Sequence, residues 1–461
     1  MITLFAIAVA QAGGFDAPQV GSVNSGPMNA DAAALFYNPA LLSHVEGPSV
    51  LVGAGAVVGR VTVRRERLGN YGFSDQLNLV APTDPAELDP SRTGLTDRVG
   101  ATPFAPLGDL FVAVPVDRVT FGAGAYVPYA AILRFPEEGP QRFALRDTTL
   151  LISHLAGGAA VDLGKVSLGA RASYVFGAGS IARVTDFAGL KFFADVITEP
   201  PVSQPNDFGR RAPSEVREQE VLARDFAVRR GISHGFTFAF GASVDLGDWR
   251  VAASYDHGST VTFQGRFTVD TNDPFFTSDL APIGLSFPTV IEGDGSFSVA
   301  TPRRVRLGLA HTFASGLQAQ FSGEWADWRR YDATRLVLTS PGFEQPELGI
   351  PETVNVRIDR QWQPAWGLDF TVQQATWVAG LGVASPASPD ATVDAASPDG
   401  YRLLAKGGTQ IRLSDRTGWW VGGKLQGILP RTVTTSDHDL ANGRYGLWLA
   451  SLTSHFTFAS R

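Results

Sequence analysis

The side chains that carry out catalysis are few and badly spaced in this sequence. Its histidines stand at His44, His154, His234, His257, His311, His438 and His455, and no two fall at a metal-site spacing. There is no cysteine, which removes disulfides, thiol nucleophiles and thiolate-bound zinc. Serine and histidine are neighbours at Ser153-His154 and Ser454-His455. Both pairs lie in segments that alternate like strands, where adjacent residues face opposite sides, so neither forms a dyad. No G-x-S-x-G elbow is present. Gly53-Ala54-Gly55 belongs to a strand and not to a dinucleotide loop. The expectation is a protein that is not an enzyme and uses no cofactor or metal.

What remains is the chemistry of binding. Two long, otherwise polar stretches carry apolar clusters. Residues 179–231 hold Phe187, Leu190, Phe192 and Phe193, and residues 264–295 hold Phe275, Phe276, Leu280, Ile283, Leu285 and Phe287. Exposed clusters of this kind mark binding surfaces; a lid that packs on itself is the alternative. Inward charges such as Arg171, Arg306 and Glu324 are expected to solvate a lumen.

These residues need a scaffold, and the sequence points to one large wall. Charged residues make up 18%, against about a quarter in soluble proteins, and there are 50 Gly and 30 Phe. The net charge of -7 gives no basic field for nucleic acid. No apolar run reaches the roughly 18 residues of a membrane helix. Period-two alternation recurs instead. Val166, Leu168, Ala170, Ala172, Tyr174 and Phe176 share one face, with Lys165, Ser167, Gly169, Arg171 and Ser173 on the other. Phe236, Phe238 and Phe240, then Phe321 and Trp325, repeat the pattern. An apolar face in lipid and a polar face in a lumen produce it.

Fourteen such segments can be read between Ser49 and Phe458. Six joins are tight, near 116–119, 162–165, 245–249, 313–317, 371–375 and 414–418, and they alternate with longer ones. The longest are 60–107, 179–231 and 264–295. An even strand number with short turns at one end and long loops at the other is the pattern of an outer-membrane barrel. Trp325, Trp328, Trp362, Trp366, Trp419, Trp420 and Trp448 are expected in its aromatic girdle. Residues 1–12 read as a signal peptide ending Ala10-Gln11-Ala12, although a basic residue after Met1 is missing and a buried first strand is the alternative. Residues 48–461 form the transmembrane β-barrel with its long outer loops. Residues 13–47 are too small and polar for a strand or a core, and read as a hatch inside the lumen, with Asn38, Pro39 and Ala40 at its centre. Pro39 biases Asn38 toward extended geometry.

Four stretches resemble the FadL/TodX outer-membrane transporters of long-chain fatty acids and other hydrophobic compounds. The first is the plug, with Asn24-Ser25-Gly26, Ala30-Asp31-Ala32 and Phe36-Tyr37-Asn38-Pro39-Ala40-Leu41. The second is Tyr126-Val127-Pro128-Tyr129. The third is Thr301-Pro302 with RRVRLGLAHTF and FSGEWADWRRYD, and the fourth runs from Gln361-Trp362 through AWGLDF to WVAGLGVASPASP. The resemblance implies an all-β fold, a 14-stranded antiparallel barrel with the hatch in its lumen, placed in the Gram-negative outer membrane. It implies passive uptake of a hydrophobic molecule, capture at the outer loops, and lateral escape near the third strand, where Gly122, Gly124 and Pro128 weaken the ladder. The implied partners are that substrate, outer-membrane lipid and the barrel-assembly machinery, and the chain is expected to be a monomer. A lipid-modifying enzyme on a barrel and a structural or adhesive barrel are the competing readings.

Overall fold

A computed structural model describes residues 16–65, 72–73, 79–80, 97–186, 223–346, 351–435 and 441–459. Fourteen antiparallel strands close on themselves. They are β1 (Ser49–Arg65), β2 (Arg98–Ala101 and Phe104–Val116), β3 (Val119–Arg134), β4 (Asp147–Asp162), β5 (Val166–Asp186) and β6 (Ala223–Leu246). Then come β7 (Trp249–Asp256 and Thr260–Asp270), β8 (Val290–Ala300 and Arg303–Thr312), β9 (Gln318–Asp327 and Ala333–Thr339) and β10 (Thr353–Asp359 and Ala365–Gln374). The last are β11 (Trp377–Ala384), β12 (Arg402–Arg412), β13 (Thr417–Ile428 and Arg431–Val433) and β14 (Gly443–Ala459). β1 closes the ring, pairing with β14 from Ser49↔Ala459 to Arg65↔Gly443 and with β2 on its other edge.

The strands follow the period-two rule, interrupted by bulges at Tyr126–Tyr129 and Gly179–Ile181. Phe236, Phe238, Phe240, Leu168 and Leu452 point outward and are exposed, while Ser167, Arg171, Thr237 and Ser243 point inward and are buried. Several strands run further outward than their hydropathy suggests: β5 extends to Asp186, β6 starts at Ala223 and β7 ends at Asp270. Their outer ends carry Arg, Thr and Asp, so the apolar face fades where the wall leaves the bilayer, while the ladder continues. The six tight turns all lie at the end of the barrel that holds Ser49 and Ala459. Gly247 and Gly316 supply the positive φ, 70° and 77°, that two of them require.

Four neighbouring strands, β7 to β10, break at one level. Gly258 takes φ 69°, and a Cβ there would lie 2.4 Å from the Pro302 carbonyl oxygen of β8. Pro302 has no N–H for the ladder, and the Ser259 and Thr301 backbones bond across the gap instead (Thr301 N to Ser259 O, 2.7 Å). Residues 328–332 of β9 and 360–364 of β10 leave the ladder beside them.

Candidate functional site

The breaks divide the lumen into two storeys. The lower one is filled by the chain's own N-terminal segment from Asp16 to Val45, nearly all of it buried. A helical turn (Ala34–Tyr37) and a 3-10 helix (Pro39–His44) meet at Asn38, whose extended backbone follows from Pro39. The Asn38 side chain accepts from Ala40 N at 3.1 Å and donates to the carbonyls of Ala242 and Ala253 at 3.3 and 3.2 Å. It thereby ties the segment to β6 and β7.

The wall makes room for this tripeptide at two cross-strand glycines, Gly169 of β5 and Gly241 of β6. A Cβ on Gly241 would lie 1.9 Å from Asn38 Oδ1, and one on Gly169 would lie 2.4 Å from the Pro39 carbonyl carbon. No side chain fits at either position without displacing the segment.

Charge fixes the rest. Arg171 donates to Asp256 at 2.5 Å and to the Phe36 carbonyl at 2.9 Å. Arg304 bonds Asp16 and, at 2.6 Å, Glu324; Arg306 reaches the other Glu324 oxygen at 2.7 Å and the Tyr37 carbonyl at 3.4 Å. Asp109 of β2 accepts from Gly21 N at 2.9 Å and lies 3.0 Å from His455 of β14. His44 meets Asp245 at 2.7 Å, and Lys424 donates to the Pro18 carbonyl at 2.9 Å. Arg171, Arg306 and Glu324 therefore do not serve as free lumen charges, as their position in the sequence suggested. Buried and partnered, they lock the segment in place. Burial outweighs the pull of Arg304 on Asp16 and pushes its carboxyl up to about 6.

The upper storey is apolar. Inward positions on β7 change from Ser254 and Asp256 below the break to Val261, Phe263, Phe267 and Val269 above it. Phe297, Leu336, Leu338, Trp328 and Trp362 join them. Phe263 and Phe297 stack at 4.8 Å, and Trp328 meets Trp362 edge-on at 4.9 Å. Trp328 and Trp362 are 0% and 1% exposed, so they belong to this chamber and not to a girdle. Trp420, at 7%, is also inside, whereas Trp325, Trp366 and Trp448 are 40%, 41% and 48% exposed on the lipid face.

The outer-loop residues divide the same way. Phe187, Leu190, Phe192 and Phe193 lie outside the described residues. Phe276, Leu280, Leu285 and Phe287 are buried in the same cluster as Phe263 and Trp362, so they are not the exposed surface expected of them. Their loop turns inward because four large apolar groups cost less over the aromatic chamber than in water. Phe275 and Ile283 belong to that loop, in the short helical turns Phe275–Asp279 and Ala281–Ile283. The loop between β11 and β12 also folds inward, held by Arg360–Asp394, Arg402–Asp399 and Arg431–Asp390 pairs of 2.5 to 2.7 Å. Hydropathy gave no sign of that closure, since it rests on charge pairs, two of which, Arg360–Asp394 and Arg431–Asp390, join residues far apart in sequence.

The wall itself has a split. β2 and β3 pair only from Val116↔Val119 to Asp109↔Tyr126. Above that level β2 pairs with β1 and β3 with β4, across a register shift between Tyr126 and Tyr129, and the free edge of β3 meets the N-terminal segment in a bridge between Tyr129 and Asp16. Pro128 sits at the shift, and its carbonyl accepts from Ala17 N at 2.9 Å. Gly122 and Gly124 do not mark the split: both lie in intact ladder beneath it. A Cβ on Gly122 would touch Leu42 at 2.8 Å, and one on Gly124 would touch the Phe111 ring at 2.6 Å. They are small so that the segment and the core can approach. An apolar cavity lies against the split, lined by Pro103, Ala105 and Leu107 of β2 and Ala130 and Ile132 of β3, with Asp16 at its edge.

His154 points into the lumen between the rings of Tyr126 and Tyr129, at 5.4 and 6.4 Å. Its neighbour Ser153 takes the other face, so no Ser–His dyad forms. Among the described residues no group of acidic or histidine side chains is placed to hold a metal.

A closed barrel of this strand number, with wall positions alternating between lipid and lumen, has the architecture of a bacterial outer-membrane barrel. The chain belongs to the outer membrane protein transport protein family (OMPP1/FadL/TodX), whose model matches residues 4–419. Its members are outer-membrane transporters of hydrophobic compounds and not enzymes. Among solved structures, a Pseudomonas aeruginosa FadL homologue superposes with a TM-score of 0.72 at 18% identity, over 97% of this chain and 99% of that one. The P. putida toluene transporter TodX gives 0.62 at 13% identity, and the Ralstonia pickettii toluene transporter TbuX 0.59 at 12%, each over 99% of this chain and 98% of its own. No curated protein sequence matches the chain.

Proposed function

We propose that the chain takes up hydrophobic small molecules passively: the upper chamber receives them, residues 13–47 act as the hatch, and they leave sideways through the split between β2 and β3. The observation that supports this reading is a wall whose β2–β3 ladder ends at Asp109–Tyr126 above a buried, ion-paired N-terminal segment. A hydrophobic molecule arriving above the plug meets apolar walls and one apolar side exit. Each buried methylene contributes about 0.8 kcal/mol, enough to draw an acyl chain out of water. Phe276, Leu280, Leu285 and Phe287 cover the chamber and form the capture surface once that loop lifts, and Phe275 and Ile283 of the same loop belong to the same capture role. Phe187, Leu190, Phe192 and Phe193 belong to the same capture role.

Long-chain fatty acids are one substrate class. Compact aromatic hydrocarbons are the second, favoured by the ring-lined chamber and by Arg171, Arg304 and Arg306 each being already matched to a carboxylate. The test is uptake of labelled oleate and of labelled toluene in cells lacking their own transporter of this kind. Uptake of either that survives closure of the split by a disulfide between cysteines placed at Leu107 and Ala130 would rule out the lateral route.

A further inference from the structure

The outward face of the wall carries a second charged feature that transport does not use. At the outer ends of three adjacent strands, Arg98 of β2, Arg64 of β1 and Arg444 of β14 stand directly opposite one another, and all three are exposed. Arg60 lies two outward positions below, reaching across Gly100 to donate to Thr102 at 3.3 Å. Like charges directly opposite on a sheet repel. Among the described residues no acidic side chain pairs with Arg64, Arg98 or Arg444, and Asp97 beside Arg98 forms no ion pair with them.

The rest of the outer rim is built differently. Arg266 faces Asp294 across β7 and β8 at 2.8 Å, Arg335 pairs with Asp332 at 2.7 Å, and Arg357 pairs with Asp359 at 2.6 Å. Among the described residues the arginine row of the β2–β1–β14 sector has no such carboxylate.

The height of the row identifies what answers it. Below it the outward face is apolar: Val52 and Val58 on β1, Phe104 and Leu110 on β2, Leu452 and Trp448 on β14. From Val50 to Val58 the strand rises about 26 Å, roughly 20 Å along the membrane normal at a strand tilt near 40°, close to the ~25 Å apolar band of such barrels. Trp448 and Phe104 sit at the upper edge of that band, where aromatic girdles lie. Arg60 stands level with Trp448, and the row of Arg64, Arg98 and Arg444 lies two outward positions higher, at the level of the outer-leaflet headgroups.

We propose that Arg64, Arg98 and Arg444, supported by Arg60, form a docking site for the phosphate groups of the outer-leaflet glycolipid. Guanidinium forks match phosphate oxygens two at a time, and the exposed Val58, Phe104 and Leu452 beneath them suit the acyl chains. A bound glycolipid relieves the repulsion within the row. β2 is also the open edge of the split, so the docked lipid borders the exit.

The full-length protein, purified and stripped of lipid, is titrated with three probes while native mass spectrometry reads binding. The probes are phosphorylated lipid A, the same lipid A after phosphatase removal of its phosphates, and millimolar inorganic phosphate. Phosphorylated lipid A should bind about a hundredfold more tightly than the dephosphorylated form, the size expected for three near-surface charges. The Arg64→Gln/Arg98→Gln/Arg444→Gln variant should lose the same factor, whereas Arg335→Gln/Arg357→Gln should bind like the wild type. Equal binding of the two lipid A forms, or an equal loss in the two variants, overturns the proposal. Full displacement by inorganic phosphate reduces the site to an anion site without lipid and overturns it too. If the triple variant fails to assemble, the comparison of the two lipid A forms on the wild type decides alone.

Discussion

Below the strand breaks the lumen is held by ion pairs and occupied by residues of its own N-terminal segment. Above them it is lined by rings and aliphatic groups and covered by an inward-turned loop. The two storeys share the same wall, and on β7 only four residues separate Asp256, bonded to Arg171, from the run that begins with Val261. The contrast follows from what each storey must hold. A plug that must seat in one pose needs directional contacts, and buried ion pairs supply position more than stability. A chamber for hydrophobic cargo needs contacts without direction, and apolar burial supplies those.

The largest test of this division removes the plug. Deleting residues 16–45 should leave a heat-modifiable barrel, because the β1–β14 and β1–β2 ladders need none of those residues. Conductance in planar bilayers should rise about tenfold or more, since a polar lumen of this size otherwise carries water. An unchanged conductance would mean that the upper storey, and not the plug, closes the channel.

A smaller effect comes from breaking one ionic contact. Arg304→Met removes the arginine bonded to Asp16 and one of the arginines bonded to Glu324. Stranding a partner in a buried pair costs about 3–5 kcal/mol. That cost falls on the seating of the segment, so frequent opening events should appear in single-channel records while the barrel's melting is little changed. Next in size is Gly241→Ala, whose Cβ meets Asn38 Oδ1. The strain of such overpacking is about 1–3 kcal/mol, and Asn38→Ala in the same chain should relieve part of it by removing the clashing atom. A double variant as leaky as the sum of the two singles would show that the glycine niche and the asparagine act independently.

The upper storey should answer to a different assay. Phe276→Ser and Phe287→Ser together should lower uptake of a hydrophobic probe at low concentration about tenfold, a modest share of the 3–5 kcal/mol that truncating a buried Phe costs. They should leave baseline conductance unchanged. A rise in conductance would make the outer loop a seal and not a capture surface.

Much of this architecture was legible in the chain. Alternation from Val166 to Phe176 reads directly as one face in lipid, because a strand's side-chain period is two whatever surrounds it. Asn38-Pro39-Ala40 could be read as a fixed turn because proline sets its own φ and restrains its neighbour. The pieces that stayed hidden depend on register. Gly169 and Gly241 look like any of the chain's 50 glycines until pairing sets them side by side. Arg304 and Asp16 are nearly three hundred residues apart, and nothing local marks either as the other's partner. Trp328 and Trp362 sit near strand ends, where girdle residues also sit, and only the break in β9 and β10 turns them inward.

The smallest predicted effect is one of pH, and it concerns the seat alone. The Asp16 carboxyl is raised to about 6 from its ordinary 3.8, because burial outweighs the attraction of Arg304 and Arg402 while Glu324 adds repulsion. A carboxyl raised in the folded state binds its proton more tightly seated than unseated. Its contribution to seating is therefore full below about pH 4 and is lost as pH rises through 6. Moving from pH 7.5 to 5 should lower the opening frequency of the wild type about two- to threefold, a fraction of the tenfold that one whole pKa unit represents. Asp16→Asn, which is uncharged at both pH values, should show no such change. The upper chamber carries no comparable group on the covering residues Phe276 to Phe287 other than the exposed Asp279, so probe uptake should not follow the same pH curve. If uptake and leak titrate together, the two storeys open as one, and the division between an ionic plug and an apolar receiver would have to be replaced by a single coupled gate.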